Sequence, residues 1–366
     1  MKKTTIEWCG FAANPIRAQR LSDGKRGHFC TKAGPGCRRC YSESWNRRFG
    51  TGLPYAADCE ALVEPFVDER ELRAIVRSKA PAGSRVFVCD MTDLFHRRIG
   101  DDARDQIFAA MSLRPDLVFC VLTKRPAAMR EYFTDGIARG YLVAEQRHAL
   151  GEVAYRPSEY WTASLGRPVV DCLFCWPPPN VWLGVSVENQ AAAAARIPIL
   201  LATPAALRFV SVEPMLGPVD LVSLDDGGYE PLCALLRYPV AHAGLEPIEI
   251  GLDWVIAGGE TGPGARPVHP DWIRSLRDQC VTGGVPFCFK AWGEWAPHNV
   301  TDSAPWAWGH GRYADWRGDD YPEHARGWHV SRFRGGLTCC ARLGRKHTGR
   351  LLDGQTWDQA PAGAET

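Results

Sequence analysis

The chain has 366 residues, of which 45% are apolar and 23% charged, with a net charge of +1. It can bury a large core, and its charge balance gives no global argument for nucleic acid while leaving room for local basic patches. No apolar run is long enough to span a bilayer, and the N-terminus MKKTTIEWCG lacks the apolar stretch of a signal peptide. This reads as a cytoplasmic protein without membrane contact, whose 14 cysteines are mostly reduced.

In chain order, residues 4–8 (TTIEW) suggest a first short strand. Six further runs have the β-branched and aromatic content of buried strands: 85–90 (RVFVCD), 117–123 (LVFCVLT), 181–187 (VWLGVSV), 207–212 (LRFVSV), 252–257 (LDWVIA) and 286–290 (PFCFK). Helical patterns follow at 101–113 and 269–280, the latter opening on Pro-Asp. Apolar strands alternating with helices predict an α/β fold with a parallel sheet covered on both faces. A full or partial (β/α) barrel of about six to seven units fits better than an open sheet, since no glycine-rich dinucleotide fingerprint stands out. The expected division is a barrel over residues 1–298, with insertions near 134–180 and 222–250, and an irregular C-terminal extension over 299–366. Cys89, Cys120 and Cys288 lie inside apolar runs and read as small core residues.

Polar residues emerge where these strands end, where barrels of this kind build their active sites. Asp90, Asp93 and His96 read as cleft-lining groups. Lys124 and Arg125 suit an anionic group, and Glu213 would face substrate. Ser186, Glu188 and Asn189 suit a ribose or a base edge, although Asn189 is equally placed to cap the next helix. In Gly258-Gly259-Glu260, the glycines permit close backbone approach and the carboxylate can pair with an ammonium group.

Cys30, Cys37 and Cys40 fall within CTKAGPGCRRCY. Thiolates at this C-x6-C-x2-C spacing select zinc or an iron–sulfur cluster over hard cations, and three are one short of a closed tetrahedral site. His28 would complete a Cys3His zinc site, whereas a four-iron cluster would keep one iron open. Cys172-x2-Cys175 cannot close a zinc site alone. The stretch 326–347 interleaves basic residues with Trp328 and Phe333, the composition of a base-stacking, phosphate-binding surface.

GHFCTKAGPGCRRCY, preceded by IEW and Asn14-Pro15, resembles the opening of the phage and bacterial three-cysteine-motif proteins, the phage gene-product thirty-seven/sixty-eight family. CDMTDLFH (89–96), VLTKRP (121–126), NVWLGVSVENQ (180–190), RFVSVEPMLGPVDL (208–221), LDWVIAGGETGPGARP (252–267), FKAWGEW (289–295) and GRLLDGQTWDQ (349–359) extend the resemblance almost end to end. That family is similar in layout to radical S-adenosylmethionine enzymes, in which an early cysteine triad holds a [4Fe-4S] cluster. An electron from the cluster cleaves S-adenosylmethionine to a 5′-deoxyadenosyl radical. Here the first gap in the triad is six residues rather than the usual three.

The resemblance implies cluster ligands at Cys30, Cys37 and Cys40, and a cofactor site formed by Gly258, Gly259, Glu260, Ser186 and Glu188. Lys124, Asp90 and Glu213 would be the catalytic groups. An electron donor and a nucleotide or nucleic-acid substrate would be the partners. The competing expectation is a zinc-stabilised protein that binds or processes nucleic acid without radical chemistry.

Overall fold

Short apolar runs become neighbouring strands in the order in which the chain makes them. The computed structural model describes residues 1–134, 136–151, 176–228, 230–240, 248–297, 328–333 and 336–361. Its fold is mixed α/β around a sheet of eight strands. These are β1 (Lys2–Lys3), β2 (Phe11–Ala13), β3 (Arg85–Val88), β4 (Val118–Thr123), β5 (Val181–Ser186), β6 (Leu207–Val212), β7 (Trp254–Ala257) and β8 (Phe287–Phe289). β1 is antiparallel to β2; every later neighbour pair is parallel, from Phe11 beside Val86 to Val255 beside Phe287.

Crossover helices join the parallel strands. α1 (Tyr41–Phe49) and α2 (Glu69–Val76) follow β2, and α3 (Asp101–Ser112) follows β3. α4 (Pro126–Thr134) and α5 (Gly136–Gly151) follow β4, α6 (Gln190–Leu201) follows β5, and α7 (Pro270–Thr282) follows β7. All six expected runs from residue 85 onward contain a strand. Residues 4–8 do not: the chain turns there, with the Cys9 amide donating to the Ile6 carbonyl at 3.2 Å, and the first parallel strand begins at Phe11. Trp8 is instead spent on filling the sheet's inner face.

Alternation along the strands explains that face. Phe87, Cys120, Trp182, Phe209, Trp254, Ile256 and Cys288 point to one side and cluster with Trp8, while the intervening Val, Leu and Phe residues meet the helices. Trp8 lies 4.8 Å from Phe87, 6.1 Å from Phe209 and 6.0 Å from Trp254 between ring centroids. The Arg85 guanidinium of β3 sits 5.3 Å from the Trp254 ring of β7. Contact between strands so far apart in the sheet order requires strong curling about this face. Gly184 leaves room for it, since a Cβ there would stand 2.5 Å from the Phe209 ring.

The C-terminal signature has a clear structural task. Phe289 donates its amide to the Trp357 carbonyl at 2.8 Å, and the Gln359 side chain accepts the Phe287 amide at 2.9 Å. The free edge of β8 is thereby covered, as an exposed strand edge would otherwise invite association. Of the expected insertions, 134–180 supplies α5, whose Arg139 pairs with Asp101 and Asp105 of α3. The region 222–250 supplies a hairpin of Tyr238–Val240 with Ile248–Ile250. Beyond β8, Trp295–Pro297, Trp328–Phe333 and Gly336–Arg342 form a separate three-stranded sheet. No helix among the described residues is long and apolar enough to cross a membrane.

Candidate functional site

A small antiparallel sheet presents the cysteine loop. Ile16–Arg20 pairs with Arg26–Gly27 on one side and Val63–Val67 on the other, and the chain leaves Gly27 toward Cys30. Asn46 of α1 is fully buried and anchors the exit: its Oδ1 accepts the His28 amide at 2.9 Å and the Thr51 amide at 3.1 Å. A short 3-10 turn, Pro35–Arg39, then carries Cys37, and Cys40 precedes α1.

Three arginines from distant parts of the chain fasten this loop. Arg125, after β4, donates to the Thr31 carbonyl at 2.7 Å; Arg196, from α6, donates to the Ala33 carbonyl at 3.1 Å; Arg266, after β7, donates to the Pro35 carbonyl at 3.1 Å. Each arginine is matched by its own carboxylate: Asp93 at 2.7 Å from Arg125, Glu188 at 3.0 Å from Arg196, and Glu260 beneath Arg266. The result is a set of charge-assisted clamps that fixes the loop over the C-terminal strand ends. Gly34 and Gly36 close against the same group, for a Cβ at Gly36 would meet Glu188 at 2.7 Å.

The loop roofs a cavity of about 480 Å³ lined by Cys30, Cys37 and Cys40 together with Asp90, Lys124, Ser186, Glu213, Gly259, Glu260 and Lys290. Asp90 follows Cys89, whose φ of 61° lies in the left-handed region just past the end of β3. Asn14 donates to its Oδ1 at 2.5 Å and the Tyr41 hydroxyl to its Oδ2 at 3.1 Å, yet burial prevails and raises the Asp90 pKa. Lys124 donates to Ser186 at 2.5 Å and Glu188 at 2.6 Å. On the far wall Lys290 pairs with Glu213; burial opposes the ammonium charge, and Glu213 outweighs it to raise the Lys290 pKa.

Over residues 3–361 the chain matches the family described as protein of unknown function (DUF5131). It belongs to that family. No curated protein and no solved structure matches the chain.

In this DUF5131 chain, nine of the eleven residues expected at the site line the cavity, and two stand behind its wall. Glu188 is completely buried, held between Lys124 and Arg196, so it positions the loop and does not touch the cavity. Gly258 directly follows β7, with its amide on the Val212 carbonyl at 3.2 Å and its carbonyl accepting from Met215 at 3.0 Å. Gly259 is required by packing, since a Cβ there would lie 2.0 Å from the Trp292 carbonyl oxygen. Burial alone would raise the Glu260 pKa, but the Arg266 side chain and amide hold it below its usual value. Glu260 is thus a clamped carboxylate rather than a vacant partner for an ammonium group. Asn189 caps α6, accepting the Ala192 amide at 3.0 Å.

Sequence reasoning missed Arg196, Arg266 and Tyr41. Arg196 did carry a signal, as the single charged residue of QAAAAARIPILL. Cys172, Cys175, Arg326 and Arg334 lie outside the described residues, as do the side chains of Trp328 and Phe333.

The donor set suits a soft metal centre. Cys37 Sγ accepts the Ala33 amide at 3.5 Å, and Cys30 Sγ lies 3.8 Å from Arg125, the kind of hydrogen-bonded setting that tunes cluster potentials. Burial, then the Asp93 carboxylate, pushes the Cys30 thiol up to about 12 against the pull of Arg125. Metal loading would therefore release a proton from the Cys30 thiol. Among the described residues no three His, Cys, Asp or Glu side chains converge as a preformed site for a single ion. His28 donates through Nδ1 to the Ile16 carbonyl, 3.3 Å away, and packs against Trp45. It does not line the cavity that the cysteines share.

Proposed function

We propose that this protein is an iron–sulfur enzyme of the radical S-adenosylmethionine type, on a partial (β/α) barrel, acting on a nucleotide or nucleic-acid substrate. The observation that carries the reading is the shared cavity: three thiols on a clamped loop and the polar strand ends line one pocket. The parallel strands in chain order and the curled inner face support the barrel.

Cys30, Cys37 and Cys40 would hold the cluster, which when bound supplies one electron for reductive cleavage of S-adenosylmethionine. The charges lining the cavity come from both signs, with Lys124, Arg125 and Lys290 set against Asp90, Asp93 and Glu213. That balance suits a zwitterionic cofactor better than a bare polyanion. Ser186 and Gly259 would bind its polar edges, and the arginine clamps would hold the loop still while excluding water. Asp90, raised by burial and within reach of Tyr41, would hold or move a proton at the cavity wall.

Anaerobic isolation with iron and sulfide analysis tests this reading. The expected result is a brown protein with about four irons per chain, lost in Cys37→Ser and kept in His28→Ala. Reduction in the presence of S-adenosylmethionine should yield 5′-deoxyadenosine. A colourless protein carrying one zinc, which His28→Ala releases, would overturn it in favour of a zinc-stabilised nucleic-acid-binding protein.

A further inference from the structure

Helix α1 is packed inside out. Its buried face carries Ser42, Glu43 and Asn46, all engaged in hydrogen bonds or ion pairs with the protein. Its outward face carries Tyr41, Trp45 and Phe49, which are 52%, 40% and 57% exposed. Spacing of four residues puts these three rings on one stripe, and Arg48 lies over the Phe49 ring at 4.8 Å. A run of exposed aromatics on a helix with a polar buried side marks a surface built to be covered.

Charge identifies the occupant. Between Gly24 and Phe49 the chain holds seven basic residues and one acid, in a protein whose overall balance is +1. Arg38, Arg47 and Arg48 are exposed beside the stripe, and the one acid, Glu43, is buried and paired with Lys32. Tyr41 belongs both to the stripe and to the cavity wall, so a ligand laid along the rings is led to the mouth of the cavity.

We propose that the Tyr41–Trp45–Phe49 stripe and its arginines form a stacking platform for single-stranded nucleic acid, delivering one nucleotide to the cavity. The proposal rests on the nucleic-acid reading of the substrate given above. Bases stack on exposed aromatic rings irrespective of sequence, while arginines track the phosphates.

Fluorescence anisotropy of a labelled oligothymidylate and its RNA counterpart, titrated with full-length protein in iron-loaded and metal-free forms, tests it. Trp45→Ala with Phe49→Ala should weaken binding at least about ten-fold with an unchanged unfolding midpoint. Arg47→Gln with Arg48→Gln should flatten the slope of log affinity against log salt by about 0.7 for each phosphate that an arginine no longer neutralises. A wild-type protein that binds neither oligomer at about 50 mM salt, or an aromatic double variant of wild-type affinity, overturns the platform. An unchanged oligomer affinity with abolished binding of an acidic flavin-carrying electron-transfer protein would assign the stripe to protein docking instead. Stripe-dependent binding in a chain that never loads iron would leave the platform standing and sink the enzyme reading alone.

Discussion

Arg125 lies 3.8 Å from the Cys30 sulfur while the same guanidinium donates to Asp93 at 2.7 Å and to the Thr31 carbonyl at 2.7 Å. One side chain therefore links the end of a central strand to the first thiol of the triad. Arg196 and Arg266 repeat the device at Ala33 and Pro35, so the loop is held at every second carbonyl.

Arg125→Lys keeps the charge but cannot serve a carboxylate and a carbonyl at once, because a single ammonium lacks the planar fork. Metal-free Arg125→Lys should show faster alkylation of Cys30, read by mass spectrometry, and should retain less than about half the wild-type iron after anaerobic reconstitution. Arg125→Gln strands the Asp93 carboxylate and should cost about 3 kcal/mol in urea unfolding.

Glu188→Gln removes the counter-charge of both Lys124 and Arg196 at a fully buried point. The expected loss is again about 3 kcal/mol, measured by urea unfolding. Lys124→Met in the same chain should recover part of it, since one stranded cation then disappears. A double-mutant cycle with no coupling between the two positions would contradict the clamp.

Gly259→Ala places a methyl group where the Trp292 carbonyl oxygen already sits, 2.0 Å away. Backbone cannot move aside as a side chain can, so the strand end must shift. Stability should fall by about 3 kcal/mol or more, read as a lowered thermal midpoint or loss of soluble protein.

His96 predicts an acid-sensitive fold. It accepts the Arg98 amide at Nδ1, at 3.2 Å, and so donates from Nε2 to Thr31 Oγ1 at 3.0 Å as the neutral ring. Burial, then the nearby Arg125, holds its pKa down at about 4, against about 6.5 in the unfolded chain. The unfolded state binds the extra proton between those values, so this contribution is complete above about pH 6.5 and is lost as pH falls toward about 4. His96 should account for about 3 kcal/mol of the decline. Urea midpoints of His96→Gln should change less over this range than those of the wild type.

The strands from Arg85 onward were legible because a parallel strand buried on both faces leaves an unbroken apolar run, as in VWLGVS and WVIA. Phe11–Ala13 left no such run, and the apolar weight beside it belongs to Trp8, a ring that plugs the sheet from a turn. The cavity wall was legible in part because strand ends locate it: Lys124, Ser186, Glu213 and Gly259 follow directly from strand positions. Arg266 left no comparable trace, since an arginine in a glycine-proline loop reads as solvated until its partner is known. Glu260 misleads for the converse reason, because the guanidinium that occupies its carboxylate comes from a turn six residues on.

Local chemistry is thus written along the chain: the cysteine spacing, the apolar strands, the polar strand ends and the helix cap at Asn189 each depend on residues close in sequence. Which of these meet was decided by the tertiary structure. Thr31 and Arg125 are 94 residues apart, Ala33 and Arg196 163, and Pro35 and Arg266 231. Curling of the parallel sheet brings those distant segments under one loop, and burial there obliges each arginine to find a carboxylate and a carbonyl. Inversion of α1 has the same origin, for the residues that bond Ser42, Glu43 and Asn46 come from outside the helix. Those partners turn its aromatic face outward.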